Sequence, residues 1–561
     1  MSRPFAWEKS YPPGLSWDAP ITLSTVPALF AGALARHADR PAIDFRDRKI
    51  TYAELGREVD KVGAALIAHG MKPGDPLALY LPNTPYHPFF FLGGAKAGLR
   101  LVHLSPLDAE KELAHKLSDS GARIVVTTNV AGMTEKAVAL LDAGHADLVI
   151  VADDAAFGAG PSAPSPIPRR AGVASLADFT EGTATPARWP DISPDDIALL
   201  QYTGGTTGKP KGAILTHGNL TAAISMYESW FEGIGIYKAE HWRMICVLPL
   251  FHIYALTTIL LRGLHRGGEI LLRMRFDVET TLRDIEIGRA THFPGVPTMW
   301  IALGAAPGIG QRDFSSLVYA GSGGAPLPTE VADRFERLTG HKLIGGWGMT
   351  ETSPAGTNRL GIGKIKPGTI GLPLPGIELD ICALDDPSRS LSPNETGELR
   401  IRGLNVTRGY WRRPEETASS FVDGWFLTGD IGHMDEDGYF FITDRKKDMI
   451  ISGGFNVYPQ MIEQAIYQHP AVEECLVVGV PDGYRGEAAK AFVKLRAGAE
   501  TMSLDDLQIF LRDKLGRHEM PAALEIRPAL PRTAVGKLSK LELRQEELAK
   551  AATLERGKGA A

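Results

Sequence analysis

A chain of 561 residues, 44% hydrophobic and 22% charged, is long enough for several domains and has the composition of an ordinary globular protein. Its 60 basic against 66 acidic residues give a net charge of −6, which argues against a nucleic-acid partner, so anionic ligands must be met locally. Cys246, Cys382 and Cys475 form no CxxC pair, the N-terminus lacks a signal-peptide core and no apolar run nears the ~18 residues of a membrane helix, so a reducing cytoplasm is expected. Loose attachment to the inner membrane surface and homodimer formation stay open.

Residues from about 22 to 150 alternate helical and strand-like patterns. Thr51 caps a helix, while Pro76 to Leu81, Ala122 to Thr127 and Asp147 to Ala152 read as buried strands of an α/β domain. From Asp153 to about Pro190 the chain is rich in Ala, Gly, Pro and Ser and reads as an exposed loop or insertion. Ile197 to Leu200 then form a strand end that runs into Gln201-Tyr-Thr-Gly-Gly-Thr-Thr-Gly-Lys-Pro-Lys-Gly-Ala213. In that loop Gly204, Gly205 and Gly208 let backbone N–H groups approach an anion, Thr203, Thr206 and Thr207 add hydroxyls, and Lys209 and Lys211 supply charge. It is a phosphate-holding loop but not the NTPase P-loop, because Thr203 stands where the first glycine belongs and Pro210 follows Lys209.

Pro249-Leu-Phe-His252 follows another strand. Helices are expected around Asp277 to Ile285 and Leu327 to Glu336, with a strand at Lys342 to Ile344, so a second α/β set follows the first. Gly321-Ser-Gly-Gly-Ala-Pro-Leu327 offers a bare backbone wall, and Gly345-Gly-Trp-Gly-Met-Thr-Glu-Thr352 combines a flat ring, flanked by glycines that would expose its face, with a hydroxyl and a carboxylate. Residues 368 to 442 switch to short alternating segments and form a small β-rich subdomain that includes Asp423-Gly-Trp-Phe-Leu-Thr-Gly-Asp430. The charge run Asp444-Arg-Lys-Lys-Asp448 precedes Ser452-Gly-Gly-Phe-Asn-Val-Tyr-Pro459 and a compact α+β tail of roughly 110 residues. Near its end lies Pro531-Arg-Thr-Ala-Val-Gly-Lys-Leu-Ser-Lys540.

Taken in order, these motifs resemble the acyl-adenylate-forming, AMP-binding superfamily over nearly the whole chain, and most closely bacterial long-chain fatty acid-CoA ligases. The resemblance implies a large N-terminal domain of stacked α/β subdomains over residues 1–446 and a mobile C-terminal domain over 447–561 that swivels near Lys447. It further implies MgATP and coenzyme A as reactants and a carboxylic acid as substrate. Thr203 to Lys209 would hold the phosphates, and Gly323, Gly324 and Ala325 would wall the adenine. Gly346, Trp347, Gly348 and Met349 would bind the base, with Thr350 on the α-phosphate. Glu351 and Thr206 would hold Mg²⁺, Asp430 and Arg445 the ribose, and Gly453 and Gly454 would admit pantetheine. Lys537 stands in the catalytic position with Thr206, Lys209, His252 and Glu351, and His252 lies at the mouth of an acyl pocket walled by Ile253 to Leu261 and Phe293 to Pro297.

Two departures from the pattern stand out. Leu256 occupies the place of a tunnel-gating Trp, and Lys540 replaces an Arg, which keeps the charge but loses the planar fork. The N-terminal Trp7 to Gly14 is also similar to ligases for medium-chain acids and dicarboxylates such as pimelate, for which Arg262, His265 or Arg266 would meet a distal carboxylate. An acyl-AMP ligase that passes its product to a carrier protein is the remaining alternative.

Overall fold

The computed structural model describes residues 3–130, 132–160, 163–203, 210–235, 241–361, 366–452, 455–482, 484–533 and 536–558. The phosphate loop from Gly204 to Lys209 and the pair Gly453 and Gly454 lie outside the described residues.

Two seven-stranded sheets organise the large domain. The first runs Val173–Ser175, Leu148–Ala152, Ile124–Thr128, Pro76–Leu79, Arg100–His103, Ile197–Thr203 and Lys211–Thr216, all neighbours parallel except the last pair. The second runs Leu343–Gly345, Tyr319–Ser322, His292–Gly295, Arg243–Cys246, Glu269–Leu272, Pro41–Phe45 and Arg48–Thr51, again parallel except for the closing hairpin. Parallel strands need helical crossovers that cover both faces, and the apolar runs read from the sequence fill them accordingly. One continuous core joins Leu77, Leu101 and Val126 of the first sheet to Ile43, Ile270 and Phe293 of the second through Phe30, Val59, Leu66, Phe90 and Phe91. The helix Tyr52–Ala68 starts where expected, with Thr51 and Glu54 forming a complete capping box.

The segment after Asp153 is more structured than its composition suggests. It adds the short edge strand Val173–Ser175 to the first sheet and the helix Leu176–Thr180, whose Phe179 is buried and stacks on His69. Three strand residues suffice because the edge is completed by pairing with an existing parallel ladder rather than by hydrophobic alternation.

The β-rich subdomain is a five-stranded antiparallel sheet built on Glu378–Cys382, Gly397–Arg402, Trp425–Met434, Phe421–Val422 and Phe440–Arg445. The N-terminal segment packs on it, with Trp7 fully buried beside Phe5 and Phe440. After the turn at Lys446 to Asp448 the smaller C-terminal domain has its own five-stranded sheet and its own core, including Ile450, Ile462, Val477, Phe492 and Leu507. Its helix Lys540–Lys558 returns to the turn, where Arg544 donates to the Lys447 and Asp448 carbonyls and pairs with the Asp448 carboxylate at 2.9 Å. No helix among the described residues is long and apolar enough to cross a membrane.

Candidate active site

Thr203, His252, Gly323 and Trp347 all lie just past or at the carboxyl ends of parallel strands, Ile197–Thr203, Arg243–Cys246, Tyr319–Ser322 and Leu343–Gly345. That rim is where open α/β sheets bind ligands. The C-terminal domain closes over it and brings in Lys537.

The lysine is delivered by a tight turn. Gly536 adopts φ +79, its N–H donates to the Thr533 carbonyl at 2.9 Å, and the Thr533 N–H donates to the Lys537 carbonyl at 2.7 Å. Arg532, paired with Glu474, braces the same turn by donating to the Gly536 carbonyl at 3.2 Å. The ammonium reaches the Gly323–Gly324 wall so closely that a Cβ on Gly324 would lie 2.5 Å from Lys537 Cε and 2.8 Å from Nζ. Gly324 also has φ +77, so the position excludes a side chain on two independent grounds. Burial, and secondarily the nearby Arg445 guanidinium, push the Lys537 ammonium down to about 8.

His252 faces the lysine from the large domain. Its Nδ1 accepts the Tyr254 N–H at 3.2 Å, which leaves the proton of the neutral ring on Nε2 as a donor. Burial first, then the Lys537 charge, push this imidazole down to about 3, so it is neutral at ordinary pH. The Tyr254 ring in turn fills the space where a Cβ of Gly323 would sit, 2.9 Å from the ring.

Glu351 is almost wholly buried and burial raises its carboxyl above the usual range. Its Oε1 accepts the Tyr410 hydroxyl at 2.9 Å, and the Thr407 N–H anchors its backbone carbonyl at 2.6 Å. A buried carboxylate whose donors among the described residues are neutral, the Tyr410 hydroxyl and its own backbone N–H, is the kind of hard-oxygen group that a divalent cation would relieve, so the residue fits Mg²⁺ shared with substrate phosphates.

The acidic residue at the end of the β-rich motif is held on both oxygens. Arg445 Nε donates to Asp430 Oδ1 at 2.6 Å, and the Trp347 indole donates to Oδ2 at 2.6 Å. Asp430 and Arg445 are direct cross-strand partners, which explains why residues 15 apart in sequence meet. The glycines beside Trp347 turn out to have a different physical role from the one expected. A Cβ on Gly346 or Gly348 would strike the carbonyls of Thr357 and Pro354, and one on Gly356 would strike the indole itself. They admit the backbone of 354–357 against a buried ring rather than lay its face open.

Other expectations are redistributed. Lys211 lies on the strand after the loop, 3.8 Å from Glu416 and over the Tyr410 ring, so its charge is committed there. Lys540 is half-buried and pairs with Glu463 at 2.9 Å, close to Asp444 and Asp448, where it ties the last helix to the domain core. Arg262 and Arg266 both pair with Glu228, and Arg262 is sandwiched against Phe231 and Trp242, so neither is left waiting for a distal carboxylate. Leu256, Ile259, Leu260, Leu261, Phe293 and Val296 are all buried, and Leu256 to Leu261 form a π-helical stretch.

The sequence reading missed Tyr410, Thr298, and the role of Gln201. Gln201 Nε2 donates to the Phe251 carbonyl at 3.0 Å, fastening the strand that leads into the phosphate loop to the peptide that carries His252.

Two family models match: AMP-binding enzyme over residues 30–411 and AMP-binding enzyme C-terminal domain over 461–537. The chain belongs to the AMP-binding enzyme family. It is 37% identical to the long-chain-fatty-acid–CoA ligase of Bacillus subtilis over 96% of this chain and 98% of that protein. It is also 37% identical to a feruloyl-CoA synthase of Amycolatopsis over 88% of this chain and 94% of that one. The crystal structure of ATP-bound MatB from Rhodopseudomonas palustris superposes with a TM-score of 0.82 at 30% identity, covering 93% of this chain and 99% of that structure.

Proposed function

We propose that the protein is an ATP-dependent acyl-CoA synthetase that converts a medium- or long-chain fatty acid to its CoA thioester through an acyl-adenylate. The observation that carries this reading is the meeting of Lys537 from the small domain with His252, the Gly324 wall and Arg445 in the large one. In the first step a carboxylate oxygen of the acid attacks the α-phosphorus, the bond from that phosphorus to the bridging oxygen breaks, and pyrophosphate leaves. Both reactants are anions, so positioning and charge neutralisation supply the rate. The His252 Nε2–H donates to the acid, the Lys537 ammonium spans acid and α-phosphate, and Asp430, oriented by Trp347 and Arg445, receives the ribose hydroxyls. Thr350, Thr206 and Lys209 contact the phosphates. Mg²⁺, held by Glu351 with Thr206, supplies charge neutralisation on the phosphates when bound.

In the second step the sulfur of CoA attacks the acyl carbonyl, AMP departs with the bonding pair and the thiol proton is released. The lysine would obstruct that approach, so the small domain swivels at Lys447 and presents another face. The exposed apolar side chains Ile451, Phe455 and Tyr484, in and beside the segment that contains Gly453 and Gly454, support a surface built to be covered in a second arrangement. Lys537→Ala is expected to abolish pyrophosphate exchange yet spare thioester synthesis from supplied acyl-AMP. Equal loss of both half-reactions contradicts the reading. The feruloyl-CoA synthase likeness favours an aromatic acid as the second reading, and comparing kcat/KM for octanoate, palmitate and ferulate separates the two.

A further inference from the structure

Besides the bonds of Gln460 to Ile442 and Asp444 near the linker, one hydrogen bond between the two domains is made by a side chain with no part in the chemistry above. The Thr298 hydroxyl donates to the Gly536 carbonyl at 2.9 Å, across 238 residues of sequence. Thr298 sits in the first turn of the helix Pro297–Gly304, on the large domain, and Gly536 immediately precedes Lys537.

The Gly536 carbonyl therefore has two partners of different origin. Arg532, from the same small domain, donates to it at 3.2 Å and is itself anchored on the nearly buried Glu474. Together with the Thr533 N–H to Lys537 carbonyl bond, this fixes the shape of the turn without help from the large domain. The Thr298 bond adds nothing to that shape. What it fixes is where the turn sits, one residue from an ammonium that must stop against Gly324 and in front of His252.

We propose that Thr298 is a positioning residue for the adenylate-forming step, a latch that holds the preformed Lys537 turn against the large domain. The inference rests on the two-step reading above. Because the hydroxyl acts through Lys537, its loss weakens only the arrangement in which the lysine is docked, and the thioester-forming arrangement does not depend on it.

The test uses the full-length protein with Thr298→Val, which keeps the shape and removes the donor, and Thr298→Ser, which keeps the donor. Pyrophosphate exchange and thioester synthesis from supplied acyl-AMP are measured separately, with thermal unfolding as a control for folding. Thr298→Val is expected to lower kcat of pyrophosphate exchange about three- to tenfold, the worth of one hydrogen bond, with KM for ATP and the thioester step unchanged. Thr298→Ser is expected to restore the exchange rate. Equal loss in both half-reactions, an unchanged exchange rate, or a serine variant as slow as valine would each overturn the latch. A wild-type protein that formed no acyl-AMP from any acid would instead overturn the functional reading on which it rests.

Discussion

The indole of Trp347 and the carboxylate of Asp430 are joined by a 2.6 Å hydrogen bond although 83 residues separate them. The ring therefore orients the carboxylate proposed to bind the ribose, working opposite Arg445. Trp347→Phe keeps the ring and removes the donor. A hydrogen bond to a charged group contributes about 1.5–3 kcal/mol, so KM for ATP should rise by about tenfold or more while KM for the acid stays unchanged. Parallel titrations of the two substrates check this, and an equal rise in both would show a general collapse of the site instead.

The pH dependence of adenylation follows from Lys537. Its ammonium, pushed down to about 8 by burial and the Arg445 charge, loses its proton as pH rises through that value, and the charge proposed to span acid and α-phosphate goes with it. The kcat/KM for pyrophosphate exchange, which reports the free enzyme, should fall above about pH 8 with unit slope. Lys537→Arg should abolish that limb at whatever residual rate remains, since a guanidinium does not titrate there. His252, neutral down to about 3, contributes no limb near neutrality.

How much of this was legible from sequence depends on how far apart the partners are. The capping box at Thr51 and Glu54, the helix begun by Asp277 and the strand–loop junctions at Thr203, Ser322 and Gly345 depend on residues within a few positions, and local periodicity encodes them. The motifs named Lys537, Glu351, Asp430 and Arg445, which the structure brings near one another, with Arg445 paired to Asp430 and its charge acting on both Lys537 and Glu351. Pairs such as Gln201 with Phe251, Thr298 with Gly536 and Trp347 with Asp430 are separated by 50, 238 and 83 residues, and no spacing rule reaches them. The glycines around Trp347 were read as exposing a face because the backbone that packs on them, 354–357, folds back from the turn after Thr352, an approach that only the fold determines.

A directed chain of hydrogen bonds lies beneath the site. Gln201 gives its amide N–H to the Phe251 carbonyl, so its oxygen must accept from His103 Nδ1 at 3.0 Å. His103 Nε2 is then bare and accepts from His87 Nε2 at 3.1 Å. Burial lowers both imidazoles, His103 to about 4, which agrees with a chain of neutral rings. Gln201→Met removes the acceptor of the His103 N–H and one donor to the Phe251 carbonyl, which His103 also reaches, so the loss is about 1–3 kcal/mol. The unfolding midpoint should drop and KM for the acid should rise as the His252 peptide loosens. Pairing it with His103→Phe should cost less than the sum of the single changes, because the second substitution removes the stranded donor. Additive losses in a double-mutant cycle would show that the chain is not coupled.

The choice between fatty and dicarboxylic acids turns on Glu228. It pairs with Arg262 at 2.8 Å and also with Arg266, while the Arg262 guanidinium is buried between the rings of Phe231 and Trp242. A distal carboxylate brought to these arginines would have to displace a carboxylate already neutralising them, and would itself be desolvated among Leu256, Ile259 and Leu260. A methyl terminus meets no such cost, and each buried methylene contributes about 0.8 kcal/mol. Octanoate should therefore outperform pimelate by about tenfold or more in kcat/KM. Glu228→Gln should not invert that preference in a folded protein but should destabilise it by about 1.5–3 kcal/mol, the worth of a hydrogen bond between charged groups, because it weakens the neutralisation of the buried Arg262 charge. Chemical unfolding alongside competition between the two acids measures both effects. A wild-type enzyme that prefers pimelate would show that Glu228 yields its arginines to substrate.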